Sequence, residues 1–165
     1  MIVGVSWHGS ARVISFAVRS ADARCPMKHR IWKPAERYDK AELLELIEAV
    51  KQDDADAIEE AVAFTLAESR GLWHGRARAK ICRNLKNRDV PKEIQDILVQ
   101  TICTRLSKGN FSEQFKDQLT MAVRFRPEEM QACADLASKS DRLYVRRYAK
   151  WVTNKVASTT GERAS

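Results

Sequence analysis

Signals that begin and end helices alternate along this chain at short, regular intervals. Asp39 followed by Glu42 has the spacing of a capping box, and Pro91 stands where the first turn of a helix tolerates proline. Gly109 follows an apolar stripe, as glycines at helix ends do. Together these signals predict seven helices, which begin near residues 40, 54, 73, 91, 111, 127 and 141.

Within each predicted helix the apolar residues recur every three or four positions. The third helix is the clearest case, with four-residue spacing through Trp73, Ala77, Ile81 and Leu85. A helix with one apolar face must bury that face against a neighbour, so we expect one all-α domain over residues 38–157. Residues 1–37 are expected to be irregular or mobile, with a hairpin as one interpretation, and residues 158–165 to form a disordered tail.

The joints between the later helices carry further signals. Asn110 and Glu113 have the spacing of a second capping box for the fifth helix, and Ser140 is predicted to cap the seventh. Gly71 is the predicted stop of the second helix. These are the boundaries on which the seven-helix prediction depends.

Every second predicted helix begins 30 to 38 residues after its counterpart. On this alternation, and on short joints such as those at Asn110 and Ser140, the chain resembles HEAT-like or armadillo-like helical repeats over about residues 38–157, at the level of architecture. The resemblance implies antiparallel helices stacked as a short solenoid, with odd-numbered helices in one layer and even-numbered helices in the other. A compact helical bundle gives similar spacings and is the alternative.

Charge is distributed unevenly along the chain. The segment from Asp53 to Ser69 contains six carboxylates and no Lys or Arg, whereas the segment from Gly71 to Arg88 contains six cations and no carboxylate. The whole chain has a formal net charge of +7. Such blocks create fields that select partners of opposite charge, although two neighbouring helices of opposite sign can also satisfy each other.

If odd-numbered helices share a layer, the basic side chains of the third and seventh helices are predicted to share one surface. This predicted basic face consists of Arg76, Lys80, Arg83, Arg142, Arg146, Arg147 and Lys150. We expect it to bind a protein partner, which would make the chain a non-catalytic interaction or scaffold module. The alternative is that the same face binds the phosphate backbone of a nucleic acid.

Some families with HEAT-like folds bind DNA, including an alkylpurine glycosylase family, so a helical-repeat DNA-repair enzyme is a third reading that the resemblance implies. No acidic or aromatic position of this chain matches a catalytic motif. Aromatic residues do lie among the cations, at Trp73, Tyr144, Tyr148 and Trp151. They could stack on bases, but their helical spacing favours packing on neighbouring helices.

The sequence contains no phosphate loop, nucleophile elbow or zinc signature, so we predict no catalytic residue, no cofactor and no metal site. Cys25 and His29 are the only neighbouring pair of metal-ligand type. His74 is expected at the surface. Asp117 could act as a base if it faced a pocket, and is expected to pair with a neighbouring cation instead.

The four cysteines are widely spaced, which favours buried free thiols and a reducing, cytoplasmic location. No apolar run is long enough to cross a membrane. The apolar stretch from Val13 to Val18 is short for a secretory signal, and a change of composition at Met27 suggests an alternative translation start there.

Overall fold

The computed structural model describes residues 33–163 and, of these, the side chains up to Thr159. This part of the chain is all-α, without strands, as predicted. A short 3₁₀ helix precedes seven α-helices: α1 (Lys40–Lys51), α2 (Ala55–Leu66), α3 (His74–Leu85), α4 (Lys92–Lys108), α5 (Phe115–Phe125), α6 (Pro127–Ala137) and α7 (Leu143–Arg163). The suggested hairpin, the pair Cys25 and His29, and Met27 lie outside the described residues.

The first predicted capping box is confirmed. The Asp39 side chain accepts from the backbone N–H of Glu42 at 2.9 Å, and the Glu42 carboxylate accepts from the backbone N–H of Asp39 at 2.9 Å. At the other end of a helix, Gly109 closes α4 with a φ of +70°, a left-handed conformation that glycine adopts without steric cost. Local sequence signals therefore set both of these ends.

The second predicted capping box is wrong. The Glu113 carboxylate binds the side chain of Arg76 instead of the Asn110 backbone, and α5 begins only at Phe115. Gln114, with a φ of +57°, precedes it. An ion pair with α3 has taken the carboxylate that the helix start would have used.

Three other helix ends differ from the expected positions. Helix α2 ends at Leu66, before Gly71. Helix α7 begins at Leu143, while the Ser140 hydroxyl accepts from the backbone N–H of Arg142 just ahead of it. The same helix continues to Arg163, past the expected end at residue 157.

The helices lie in two sets that follow chain parity. Along one set α1 contacts α3, α3 contacts α5 and α5 contacts α7; along the other, α2 contacts α4 and α4 contacts α6. Sequential neighbours such as α1 and α2, or α6 and α7, connect the sets. This order of contacts is compatible with a helical-repeat architecture.

The core lies between the two sets. Ile81 and Leu85 of α3, Leu98 and Ile102 of α4 and Leu119 of α5 are completely buried. Complete burial of a Leu or Ile side chain contributes about 1.5–3 kcal/mol relative to leaving it exposed. The stripes that predicted the helices therefore also form the layer interface.

Four arginines connect distant segments of the backbone, and we call them the clasp arginines: Arg88, Arg105, Arg126 and Arg142. Each donates to a backbone carbonyl between 34 and 40 residues earlier in the chain. This separation is close to the 30 to 38 residues between alternate helix starts. Arg88, Arg105 and Arg126 thus connect like ends of alternate helices, whereas Arg142, just before α7, contacts the end of α4.

Two of these contacts show the physical reason for the arrangement. Arg88 donates to the carbonyl of Lys51 at 2.7 Å, and Arg142 donates to that of Lys108 at 2.7 Å. Lys51 and Lys108 are the last residues of α1 and α4. The last carbonyls of a helix lack partners within it and form the negative end of the helix dipole, so a guanidinium stabilises them.

Candidate binding face

The cations of the seventh helix lie on its outer surface. Val145, Ala149 and Val152 of α7 are buried in the core. Because positions three and four apart share one side of a helix, the other side faces outward. It carries the exposed cations Arg146, Arg147 and Lys150, and Arg142 is exposed just ahead of the helix; we call these four cations the α7 face.

The partners of the α7 face are backbone groups. Arg142 donates to the carbonyl of Lys108 and Arg146 to the carbonyl of Ser140, both at 2.7 Å. Across residues 33–159, no carboxylate forms an ion pair with any of the four cations. Their charges are therefore left for solvent or a partner to balance.

Two α3 cations of the predicted basic face, unlike those of the α7 face, form ion pairs with carboxylates. The Arg76 guanidinium lies 2.7 Å from the Glu113 carboxylate, and that of Arg83 lies 3.2 Å from the Asp117 carboxylate. Both carboxylates belong to α5 or to the loop before it, and α5 packs against α3 and α7 alike. The seven predicted residues thus fall into an α3 group and an α7 group with α5 between them. Two of the three α3 cations are neutralised by carboxylates of the protein itself.

Lys80, the third α3 cation of the prediction, lies over an aromatic ring. Its ammonium is 5.3 Å from the centre of the Trp73 ring, and the ammonium of Lys40 is 4.8 Å from the same ring. These are cation–π distances. Trp73 is therefore engaged by cations of α1 and α3 as well as by the core against which it packs.

The aromatic residues near α7 are also used internally. The Tyr148 ring lies 4.4 Å from Phe111 and 5.6 Å from Phe115, centre to centre, and Trp151 packs on the core beneath Lys116. Tyr144 also makes an edge contact with Phe111, at 5.6 Å between ring centres, but its side chain is 45% exposed. Trp73, Tyr148 and Trp151 therefore pack against the core, as their helical spacing predicted, and do not form a free stacking surface.

Asp53 of the acidic segment and Arg88 of the basic segment form an ion pair, 2.7 Å apart. Arg76 and Arg83 instead pair with the α5 region, as described above. The expectation that Asp117 pairs with a cation is confirmed. The two charge blocks therefore neutralise each other only in part. Carboxylates of α5 and of the loop before it pair with Arg76 and Arg83 of the basic block.

The expected surface position of His74 is wrong. The side chain is buried, its Nδ1 accepts from the backbone N–H of Gly71 at 3.1 Å, and its Nε2 lies 3.0 Å from the carbonyl of Tyr38. A ring that accepts at Nδ1 carries its proton on Nε2, which donates to that carbonyl. His74 thus fastens the start of α3 to the segment ahead of α1.

Two buried arginines were missed in the sequence analysis. Arg78 and Arg105 are 3% and 5% exposed. Helix periodicity could have predicted this burial. Arg78 lies three residues before Ile81 and seven before Leu85, which places it on the buried side of α3. Arg105 lies three residues after Ile102 on α4 in the same way.

Among the side chains of residues 33–159, no group of three or more His, Cys, Asp or Glu is arranged to hold a metal ion. None of the helices in this part of the chain is both long and apolar enough to cross a membrane. Comparison with protein-family models, with curated proteins and with solved structures gave no match.

Proposed function

We propose that this protein is a non-catalytic interaction module that binds an acidic segment of a protein partner on the α7 face. The observation that carries the proposal is the set of four exposed cations that have no carboxylate partner among the described residues. Uncompensated charge of one sign attracts a partner of the other sign and speeds its association.

Exposed apolar side chains at the start of α7 support a protein partner. Leu143 and Tyr144 are 54% and 45% exposed and lie next to Arg142. Protein interfaces combine aromatic and aliphatic contacts with arginine, and a tyrosine beside guanidiniums is a frequent anchor. An acidic segment that also carries an apolar residue would match both features.

The phosphate backbone of a nucleic acid is the second candidate for the same face. The net charge of +7 favours it. The packing of Trp73, Tyr148 and Trp151 argues against extended base stacking, which single-strand binders rely on. We therefore place the protein partner first.

The test compares binding of a fluorescent Glu-rich peptide containing one Leu with binding of a random-sequence DNA duplex, by anisotropy over a series of salt concentrations. Arg146→Glu combined with Arg147→Glu should lower peptide affinity at least tenfold. Arg37→Glu combined with Lys92→Glu, exposed cations outside the α7 face, makes the same charge change and should lower it less than threefold.

Tighter binding of the duplex, with log affinity falling against log salt at a slope of about −3.6, would favour the nucleic acid, since four neutralised phosphates give that slope. Equal losses of affinity in the two double variants would show that neither ligand binds on the α7 face. Thermal unfolding of each variant confirms that the fold persists.

A further inference from the structure

A cavity of about 340 Å³ lies between the α2–α3 and α4–α5 connections. We call it the loop cavity. Its polar and charged lining consists of Glu68, Ser69, Arg70, Arg78, Arg105, Asn110 and Ser112. A volume of this size is at the lower end of the range for small-molecule sites.

Two of its lining arginines are buried and have only neutral acceptors. Arg78 donates to the carbonyl of Ala67 at 2.8 Å and to the Ser69 hydroxyl at 3.0 Å. Arg105 donates to the Gln118 side-chain oxygen at 3.0 Å and to the carbonyl of Thr65 at 2.9 Å. In the part of the chain that the structure describes, neither guanidinium has a carboxylate within ion-pairing distance.

Carbonyl dipoles do not cancel a full charge, and burying an uncompensated charge destabilises a fold. Arg78 has a further deficit, because its Nε is buried and finds no hydrogen-bond partner among the described residues. Burial, together with the neighbouring Arg105 charge, lowers the pKa of Arg78 to about 10. An anion in the cavity would offset the buried positive charge.

The charge around the cavity matches a dianion. Arg70, Arg78 and Arg105 supply three positive charges, and Glu68, which also lines the cavity, supplies one negative charge. The remaining two positive charges are what a phosphate group balances, since a phosphate monoester carries about −1.5 to −2 near pH 7. Guanidiniums also bind phosphate oxygens in a bidentate manner.

We propose that the loop cavity binds a small phosphate-bearing ligand, with Arg70, Arg78 and Arg105 as its guanidinium donors. Hydroxyl and amide groups of Ser112 and Asn110 supply further polar contacts, and the Phe111 ring forms an apolar part of the wall. This site is separate from the proposed protein-binding role, because none of its residues belongs to the α7 face.

The experiment measures thermal unfolding and calorimetric binding of the full chain with inorganic phosphate and with ribose 5-phosphate, against chloride at matched ionic strength. We expect a saturable rise in Tm of about 4 °C at ten times the Kd for at least one phosphate ligand. Tighter binding of the sugar phosphate would identify an organic ligand, and equal binding would identify inorganic phosphate; both support the site.

Two variants change the cavity with little risk to the fold. Arg70→Gln removes an exposed guanidinium and Asn110→Asp adds a carboxylate, and neither side chain makes a recorded hydrogen bond within residues 33–159. Each should weaken phosphate binding about tenfold, whereas Arg37→Gln, which removes an exposed arginine elsewhere, should leave it unchanged. A Tm rise no larger than that in chloride, or equal binding by all three variants, would overturn the proposal.

Discussion

The guanidinium of Arg105 donates to the backbone carbonyl of Thr65, 40 positions earlier, at 2.9 Å. The same guanidinium reaches the carbonyls of Leu66 and Ala67 at 3.1 and 3.2 Å and the Gln118 side chain at 3.0 Å. One side chain of α4 therefore holds the end of α2 and a residue of α5. Removing it should affect three helices together.

Arg105→Met keeps a long side chain but removes these hydrogen bonds, so the carbonyls of Thr65 and Leu66 lose their guanidinium donor. We expect the free energy of unfolding, measured in urea, to fall by about 2–4 kcal/mol. Arg37→Met, at an exposed arginine, should change it by less than about 0.5 kcal/mol. Arg105→Lys should restore less than half of the loss, because an ammonium does not reproduce the guanidinium fork. Similar stabilities of the Arg105 and Arg37 variants would contradict this role.

Gly109→Ala tests the left-handed end of α4. A Cβ there would strain the backbone at φ +70° and would lie 2.9 Å from the Tyr144 ring. We expect a loss of about 1–3 kcal/mol in urea unfolding. In a double-mutant cycle, combining Gly109→Ala with Tyr144→Ala should cost less than the sum of the single changes, since only the backbone strain remains. Additive costs would show that the contact with Tyr144 is relieved by movement of the ring.

Glu113→Gln combined with Asp117→Asn should release Arg76 and Arg83 from their ion pairs. Because these pairs are largely exposed, stability should fall by less than about 1 kcal/mol per pair. Affinity for the Glu-rich peptide should rise severalfold if the released α3 cations extend the α7 face. Glu93→Gln combined with Glu128→Gln makes the same charge change on α4 and α6. An equal rise in affinity in that control would show that the change in net charge, and not the release of Arg76 and Arg83, causes the effect.

The Cys82 thiol should resist modification in the native state. Burial raises its pKa to about 12, because the thiolate would lose its hydration. At pH 8 roughly one thiol in ten thousand would then be ionised, and it is completely buried as well. Mass spectrometry after reaction with iodoacetamide should show Cys82 labelled only as fast as the protein unfolds, and rapidly in urea. Labelling of Cys82 in the native protein on the timescale of a free thiol would refute this.

The all-α fold followed from local information. Apolar stripes such as Ile81 and Leu85 and the capping pair Asp39 and Glu42 depend on neighbours within a few residues, and the structure reproduces them. The Glu113 capping box failed because a long-range partner, Arg76, competed for the same carboxylate. Local patterns do not reveal which of two available partners a charged side chain takes.

The candidate site was predictable only in part, for the same reason. The outward position of Arg146 and Lys150 follows from helix periodicity around Val145 and Ala149. Whether a cation is paired depends on what the adjacent helix places opposite it, and Asp117 could not be assigned to Arg83 before the helices were packed. Ligand binding by the cations of α3 or of the α7 face is a prediction that the binding experiments test.

The clasp arginines bear on which substitutions the chain tolerates. Their long-range acceptors at Lys51, Thr65, Lys92 and Lys108 are main-chain oxygens, so the side chains at these four positions contribute nothing to those hydrogen bonds. The donor positions are constrained, because a guanidinium is needed to reach and bind the carbonyl. One partner in each of these connections therefore cannot be recognised from the amino-acid sequence.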